Sequence, residues 1–245
     1  MKTGCLIIAT ILCILTFIPG FSQADQTDTS VFQQSLKNAI SAYYNAIGEN
    51  AHLYNGSEYV SFNYQSDKNP FFESISLMNG SIMYDNVLYP NVPLAYDIQK
   101  DEVIINKYDE NYRIKLINDK IEFFSLAGHT FVRIVEDSTT SALPETGYYD
   151  LLYNGKVSVF AKRKKKYEES ITNTGAVTQF IEDDHYFIKK NNVYYAVGNK
   201  KSTLKVFKDK KKDIQKLLRK NKIKFSPNPE HGIVKAAQYY DQLKN

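Results

Sequence analysis

The chain has 245 residues, 43% of them apolar and 24% charged, which is enough apolar material for a packed core and too little charge for a disordered polyelectrolyte. Residues 25–138 carry 8 Lys and Arg against 16 Asp and Glu, whereas 139–245 carry 22 against 11, so an acidic stretch precedes a basic one. This asymmetry implies either two halves that attract each other or a basic half that faces an anionic partner. The two cysteines, Cys5 and Cys13, both fall within the first 24 residues, which excludes disulfide and thiol chemistry from the rest of the chain.

Lys2, an apolar run from Cys5 to Ile18 and a small-x-small end at Ser22 and Ala24 predict a secretory signal peptide over 1–24. The run is too short for a spanning helix, and Cys13 lies too deep in it for a lipoprotein pattern. No later stretch is apolar enough to cross a bilayer, so no transmembrane segment is expected after cleavage. From 31 to 47, Val31, Leu36, Ala39, Ile40, Tyr43, Tyr44 and Ile47 fall near helical spacing. Ser30 suits the start and Gly48 the end, which predicts an amphipathic helix lying on one face of a sheet.

Next come short runs of β-branched and aromatic residues separated by turn chemistry. Strands are expected over 58–64, 71–78, 81–84, 87–89, 103–107, 112–117, 121–126 and 130–135. Asn79-Gly80 is the clearest turn signal, because both residues accept positive φ. Pro90 and Pro93 lack the ladder N–H and should mark an edge, a bulge or a corner. The polar stretch 137–147, where the charge changes sign, is read as a boundary between an acidic subdomain over 25–138 and a basic one over 139–245. Asn55-Gly56-Ser57 and Asn79-Gly80-Ser81 match the N-glycosylation acceptor pattern, but turn chemistry accounts for both.

The basic half opens on two runs around Asn154-Gly155, expected to form a hairpin. Strands follow over 177–181, 186–190 and 193–197, the last two joined at Asn191-Asn192. From Ser202 the period becomes helical, with Leu204, Phe207, Ile214, Leu217 and Leu218 on apolar faces and Asp209 a cap for a helix over 210–221. Asn228 caps a last helix, with Pro229 at its first position and Ile233, Ala236, Ala237, Tyr240 and Leu243 as its buried stripe. The expected fold is α+β, a predominantly antiparallel β-meander with an N-terminal amphipathic helix and C-terminal helices.

Three segments in this half, Gly147-Tyr148-Tyr149-Asp150-Leu151-Leu152-Tyr153-Asn154-Gly155-Lys156, Asn192-Val193-Tyr194-Tyr195-Ala196-Val197 and Ala237-Gln238-Tyr239-Tyr240-Asp241, resemble a family of secreted proteins from gram-negative bacteria with no assigned function. The resemblance implies an extracytoplasmic bacterial protein and carries over no site, because the shared motifs are structural.

The chain has no His-Glu-x-x-His, no Gly-x-Ser-x-Gly, no P-loop and no Gly-x-Gly-x-x-Gly. Glu182-Asp183-Asp184-His185 is the densest polar cluster, readable as a cation or proton-transfer site or as a solvated turn; adjacent strand residues point to opposite faces, which favours the turn. Asp97 with Asp101 and Glu102 would suit a carboxylate pair only if they faced each other across a cleft. No catalytic residue, metal ligand or cofactor is assigned.

The binding candidates are the basic runs: Lys162, Arg163, Lys164, Lys165 and Lys166, then Lys212, Lys216, Arg219 and Lys220. Outside the cytoplasm nucleic acid is not the expected polyanion, whereas lipid headgroups, lipopolysaccharide phosphates and acidic glycans are. The leading expectation is a secreted or periplasmic, non-enzymatic binding or envelope-associated protein whose basic half contacts an anionic envelope component or a protein partner. The alternatives are a carrier of a lipid or other apolar ligand on a curved sheet, and then a hydrolase.

Overall fold

The computed structural model describes residues 34–36, 38–39, 42–43, 52–61, 69–108, 112–136, 145–172 and 175–243. Met1–Ala46 and Ile47–Asn245 are separate compact units, and every element named below belongs to the second. The expected signal peptide lies outside the described residues, as does most of the helix expected over 31–47.

The described part of the second unit is mostly antiparallel sheet. Its strands are β1 (Ser57–Glu58), β2 (Met78–Tyr84), β3 (Val87–Asp97), β4 (Glu102–Asn106), β5 (Arg113–Lys115), β6 (Ile121–Leu126), β7 (His129–Ile134), β8 (Gly147–Asn154), β9 (Ser158–Lys162), β10 (Lys165–Thr172), β11 (Gly175–Glu182), β12 (His185–Lys190) and β13 (Val193–Val197). Eleven form one sheet in the order β1-β5-β4-β3-β2-β6-β7-β8-β9-β12-β13, and β10 and β11 form a separate two-stranded ribbon. Chain neighbours are mostly sheet neighbours, as a meander requires. Helices α1 (Lys200–Val206), α2 (Lys211–Lys220) and α3 (Glu230–Gln242) close the chain.

The local chemistry explains the turns, with one correction. Asn79-Gly80 is not a turn: both residues lie inside β2, and the chain reverses at Asp85 and Asn86, whose φ of 53° and 62° fit a two-residue hairpin. Gly80 is required for another reason, since a Cβ there would run into the Ser125 carbonyl of β6. Pro90 and Asn91 form a bulge: Gly80 pairs with Val92 and Ile82 with Tyr89, which sets these two residues of β3 against the single Ser81 of β2, with Asn91 at φ 57°. The hairpin at Asn154 and Gly155 joins β8 to β9 as expected, and Asn191 and Asn192, at φ 51° and 62°, join β12 to β13. Asp209 does not cap α2 with its side chain; it accepts hydrogen bonds from Lys190 Nζ (2.7 Å) and Tyr240 Oη (3.0 Å) instead.

The sheet is coiled. β3 and β8 are four strands apart in sheet order, roughly 19 Å in a flat sheet at the usual spacing. Yet the Tyr96 ring of β3 lies 5.8 Å from that of Tyr148 on β8 and 5.0 Å from Phe131 on β7. Phe124 stacks on Phe131 at 4.9 Å, so the inside of the curl is filled by rings. β7 pairs with β8 across the expected boundary at 137–147, so one sheet spans both the acidic and the basic stretch. In the basic half the period-2 alternation sorts residues to two faces: Val159, Ala161, Ile188 and Val197 meet Leu204, Ile214, Leu218 and Ile233 of the helices. Phe160, Phe187 and Tyr194 pack with Tyr149 on the other face.

Candidate functional site

Four of the five cations in the run 162–166 pair with carboxylates of the chain itself, and Lys165 donates to backbone carbonyls. β9 ends at Lys162, whose side chain is 2% exposed, and its ammonium lies 3.0 Å from Asp101 Oδ1 and 5.2 Å from the centre of the Tyr149 ring. Asp101 sits in the turn after β3 and reaches β8 because the sheet is coiled; its carboxylate also accepts from the Tyr148 N–H and the Tyr96 hydroxyl. Gly147 is glycine because a Cβ there would collide with the Asp101–Lys162 pair. Burial, with Asp101 beside them, pushes the Tyr96 and Tyr148 hydroxyls far above the usual tyrosine range, so they act as neutral donors.

Arg163 is the centre of the arrangement. Its Nε and Nη2 donate to Asp150 Oδ2 at 3.0 and 2.7 Å, and its Nη1 donates to Asp184 at 2.5 Å and Glu230 at 2.7 Å. Burial disfavours this charge, but the hydrogen bonds to Glu230 and Asp184 outweigh burial and hold the guanidinium above its ordinary pKa. One cation thus joins β8, the turn before β12 and the first residue of α3. His129 Nδ1 lies 2.8 Å from the same Asp150, whose side chain is 1% exposed. The Asp150 carboxylate that pairs with Arg163 can only accept, so Nδ1 donates to it. His129 and Arg163 line a cavity of about 250 Å³ with Phe72, Lys165 and Glu182.

The remaining members are also engaged. Lys164 pairs with Glu145 at 2.5 Å, Lys165 donates to the carbonyls of Asn69 and Phe71, and Lys166 pairs with Asp183 at 2.7 Å. The Lys166 hydrogen bond holds the Asp183 carboxyl below the usual range. The polar cluster at 182–185 is therefore a turn whose carboxylates face two different cations. Among the described residues no group of three or more His, Cys, Asp or Glu side chains is placed to hold a metal ion. The other carboxylates considered are held by neighbours as well. Asp97 accepts from the Tyr59 hydroxyl (2.8 Å) and from the Gln99 and Lys100 N–H groups, and Glu102 pairs with Lys115 at 2.6 Å.

The second basic run is placed differently. Lys212, Lys216, Arg219 and Lys220 all lie on α2 and are exposed. At 100° per residue they fall within an arc of about 100°, opposite Ile214 and Leu218, which are buried under the sheet and α3. Among the described residues none of the four pairs with a carboxylate. Lys208, Lys222 and Lys224 extend the exposed charge to both sides, and Asp213 is the exposed carboxylate within the helix.

The sequence groups nine cations, and the structure separates them into five that are engaged by neighbouring carboxylates or carbonyls, Lys162 and Arg163 pointing inward and Lys166 exposed, and four exposed ones on α2 without a carboxylate partner among the described residues. It missed the partners Asp101, Asp150, Glu145 and Glu230, which lie 13 to 67 residues from their cations and carry no spacing signal. The opposite charge of the two halves was the available hint, and Asp101 with Lys162 realises it. No family model, curated protein or solved structure matches the chain.

Proposed function

We propose that this is an exported, non-enzymatic binding protein that engages a phosphate-bearing anionic surface through the exposed face of α2. The observation that supports the reading is the arc of Lys212, Lys216, Arg219 and Lys220, exposed and without carboxylate partners among the described residues, on a helix whose apolar side is already used by the core. This helix holds four cations on one side, with Asp213 the one exposed carboxylate at the margin of their arc. The expected leader over 1–24 and the resemblance to secreted gram-negative proteins support a site of action outside the cytoplasm. The carrier reading has no observation in its favour, since the inside of the curl is taken up by Phe124, Phe131, Tyr96 and Tyr148.

The test is binding to phosphatidylglycerol vesicles, to neutral phosphatidylcholine vesicles and, in a separate arm, to soluble inorganic polyphosphate. Each cation near an anionic surface contributes about 1 kcal/mol, so Lys212→Gln with Lys216→Gln should weaken vesicle binding by roughly 30-fold. Affinity should fall steeply as salt is raised. Binding to polyphosphate but not to vesicles would place the phosphate on a soluble or glycan-borne ligand. Equal binding to neutral vesicles, or indifference to the double substitution, would refute the site.

A further inference from the structure

The sheet has two edges, and they are protected unequally. β1, at one end, is two residues long and carries Glu58. Short length and charge are the usual devices that keep an edge from pairing with another chain. β13, at the other end, reads Val-Tyr-Tyr-Ala-Val with no charge, no proline and no bulge against β12. Val193 and Tyr195 are 45% and 40% exposed, and Ala196 is exposed as well.

The register states which backbone groups face outward. A two-residue turn with both residues at positive φ makes its flanking pair, Lys190 and Val193, a hydrogen-bonded pair. Alternation then turns the N–H and C=O of Val193, Tyr195 and Val197 toward β12, and those of Tyr194 and Ala196 away from it. Among the described residues no backbone or side-chain group bonds to those outward positions. The strand runs out into a groove of about 630 Å³ lined by Ala196, Val197, Gly198, Tyr186 and Pro227, and also by Glu182 and by Asp184, which Arg163 holds. A Cβ built on Gly198 meets nothing within 4 Å, so the approach is open.

Charge selects the occupant. From His185 to Lys208 there is no Asp or Glu, while Lys189, Lys190, Lys200, Lys201, Lys205 and Lys208 surround the strand in sequence. Lys190 is taken by Asp209, but Lys189 holds its ammonium 5.1 Å over the Tyr194 ring, at the edge strand itself. Two copies paired edge to edge would bring these lysines together across the axis, and a five-residue strand buries too little surface to offset that repulsion. We infer that β13 is a strand-addition site for an extended, acidic peptide segment of a partner protein, which would pair through Tyr194 and Ala196 and set its carboxylates against the flanking lysines. This surface is separate from α2, and the inference stands or falls independently of the proposal made for that helix.

The probe is a blocked octapeptide alternating valine and glutamate, compared with its valine and lysine counterpart. With the acidic peptide, amide exchange at Tyr194 and Ala196 should slow, and the basic peptide should leave it unchanged. Ala196→Pro removes an outward N–H at an edge position where proline is tolerated, so it should weaken the acidic peptide roughly tenfold or more without changing the melting curve. If that variant does not fold, Lys189→Glu with Lys201→Glu serves in its place, and should reverse the preference between the two peptides. Unchanged exchange at Tyr194 and Ala196, equal binding of both peptides, or concentration-dependent dimerisation without peptide would each overturn the inference.

Discussion

At the scale of single residues, the informative position is Arg163. A guanidinium whose side chain is 11% exposed, facing three carboxylates, is a place where removing one partner costs far more than forming the pair gained. Lys166 and Asp183 differ: at 62% and 26% exposure their pair is screened by water and is worth at most about 1 kcal/mol. Arg163→Met should therefore destabilise the protein by about 3–5 kcal/mol at neutral pH, measured by urea denaturation. A loss of no more than about 1 kcal/mol would mean that these pairs are screened like that of Lys166 and Asp183. Arg163 stands in the sequence as one of five consecutive cations, and nothing local separates it from Lys166. The difference lies in partners up to 67 residues away.

At the scale of elements, the clamp between β12, the turn before α2 and α3 sets how the helices sit on the sheet. Burial opposes the charges, but their mutual hydrogen bond holds Lys190 above its ordinary pKa and Asp209, which also accepts from Tyr240, below its own. The Asp209 contribution is present above the ordinary Asp value of 3.8 and is lost as pH falls through the lower folded value. The Lys190 contribution is full below its ordinary value of 10.5 and is lost as pH rises through the higher folded one. Asp209→Asn should then lower stability by about 0.5–1 kcal/mol between those limits, discounted because Asp209 is 44% exposed. Thermal melts of the two proteins should converge in acid below the folded Asp209 value; a gap that persists there would show that the carboxylate charge is irrelevant. The reading of Asp209 as a helix cap failed because a capping side chain and an ion-pair partner look alike until the strand bearing Lys190 is in place.

At the scale of the whole molecule, the described part of the unit Ile47–Asn245 is built on an eleven-stranded sheet through which the charge changes sign. The β7–β8 pairing and the Tyr96–Tyr148 contact link the acidic and basic stretches by both backbone and core. Denaturation followed by far-ultraviolet and tyrosine near-ultraviolet circular dichroism should therefore give coincident transitions. Two separated transitions would show that the stretches on either side of 137–147 unfold as separate subdomains.

The sequence by itself determined the antiparallel sheet, most of its strands and the closing helices, because alternation, turn residues and helical period act over a few neighbouring residues. It also marked out the cations. Only the tertiary structure decided that Asn79-Gly80 lies within a strand, where β6 leaves no room for a side chain, and that Lys162 and Arg163 point inward while Lys212, Lys216, Arg219 and Lys220 point to solvent. The physical reason is common to both: the direction a charge or a glycine serves depends on which distant backbone or carboxylate the coiled sheet brings against it, and that is set by the packing of rings four strands apart.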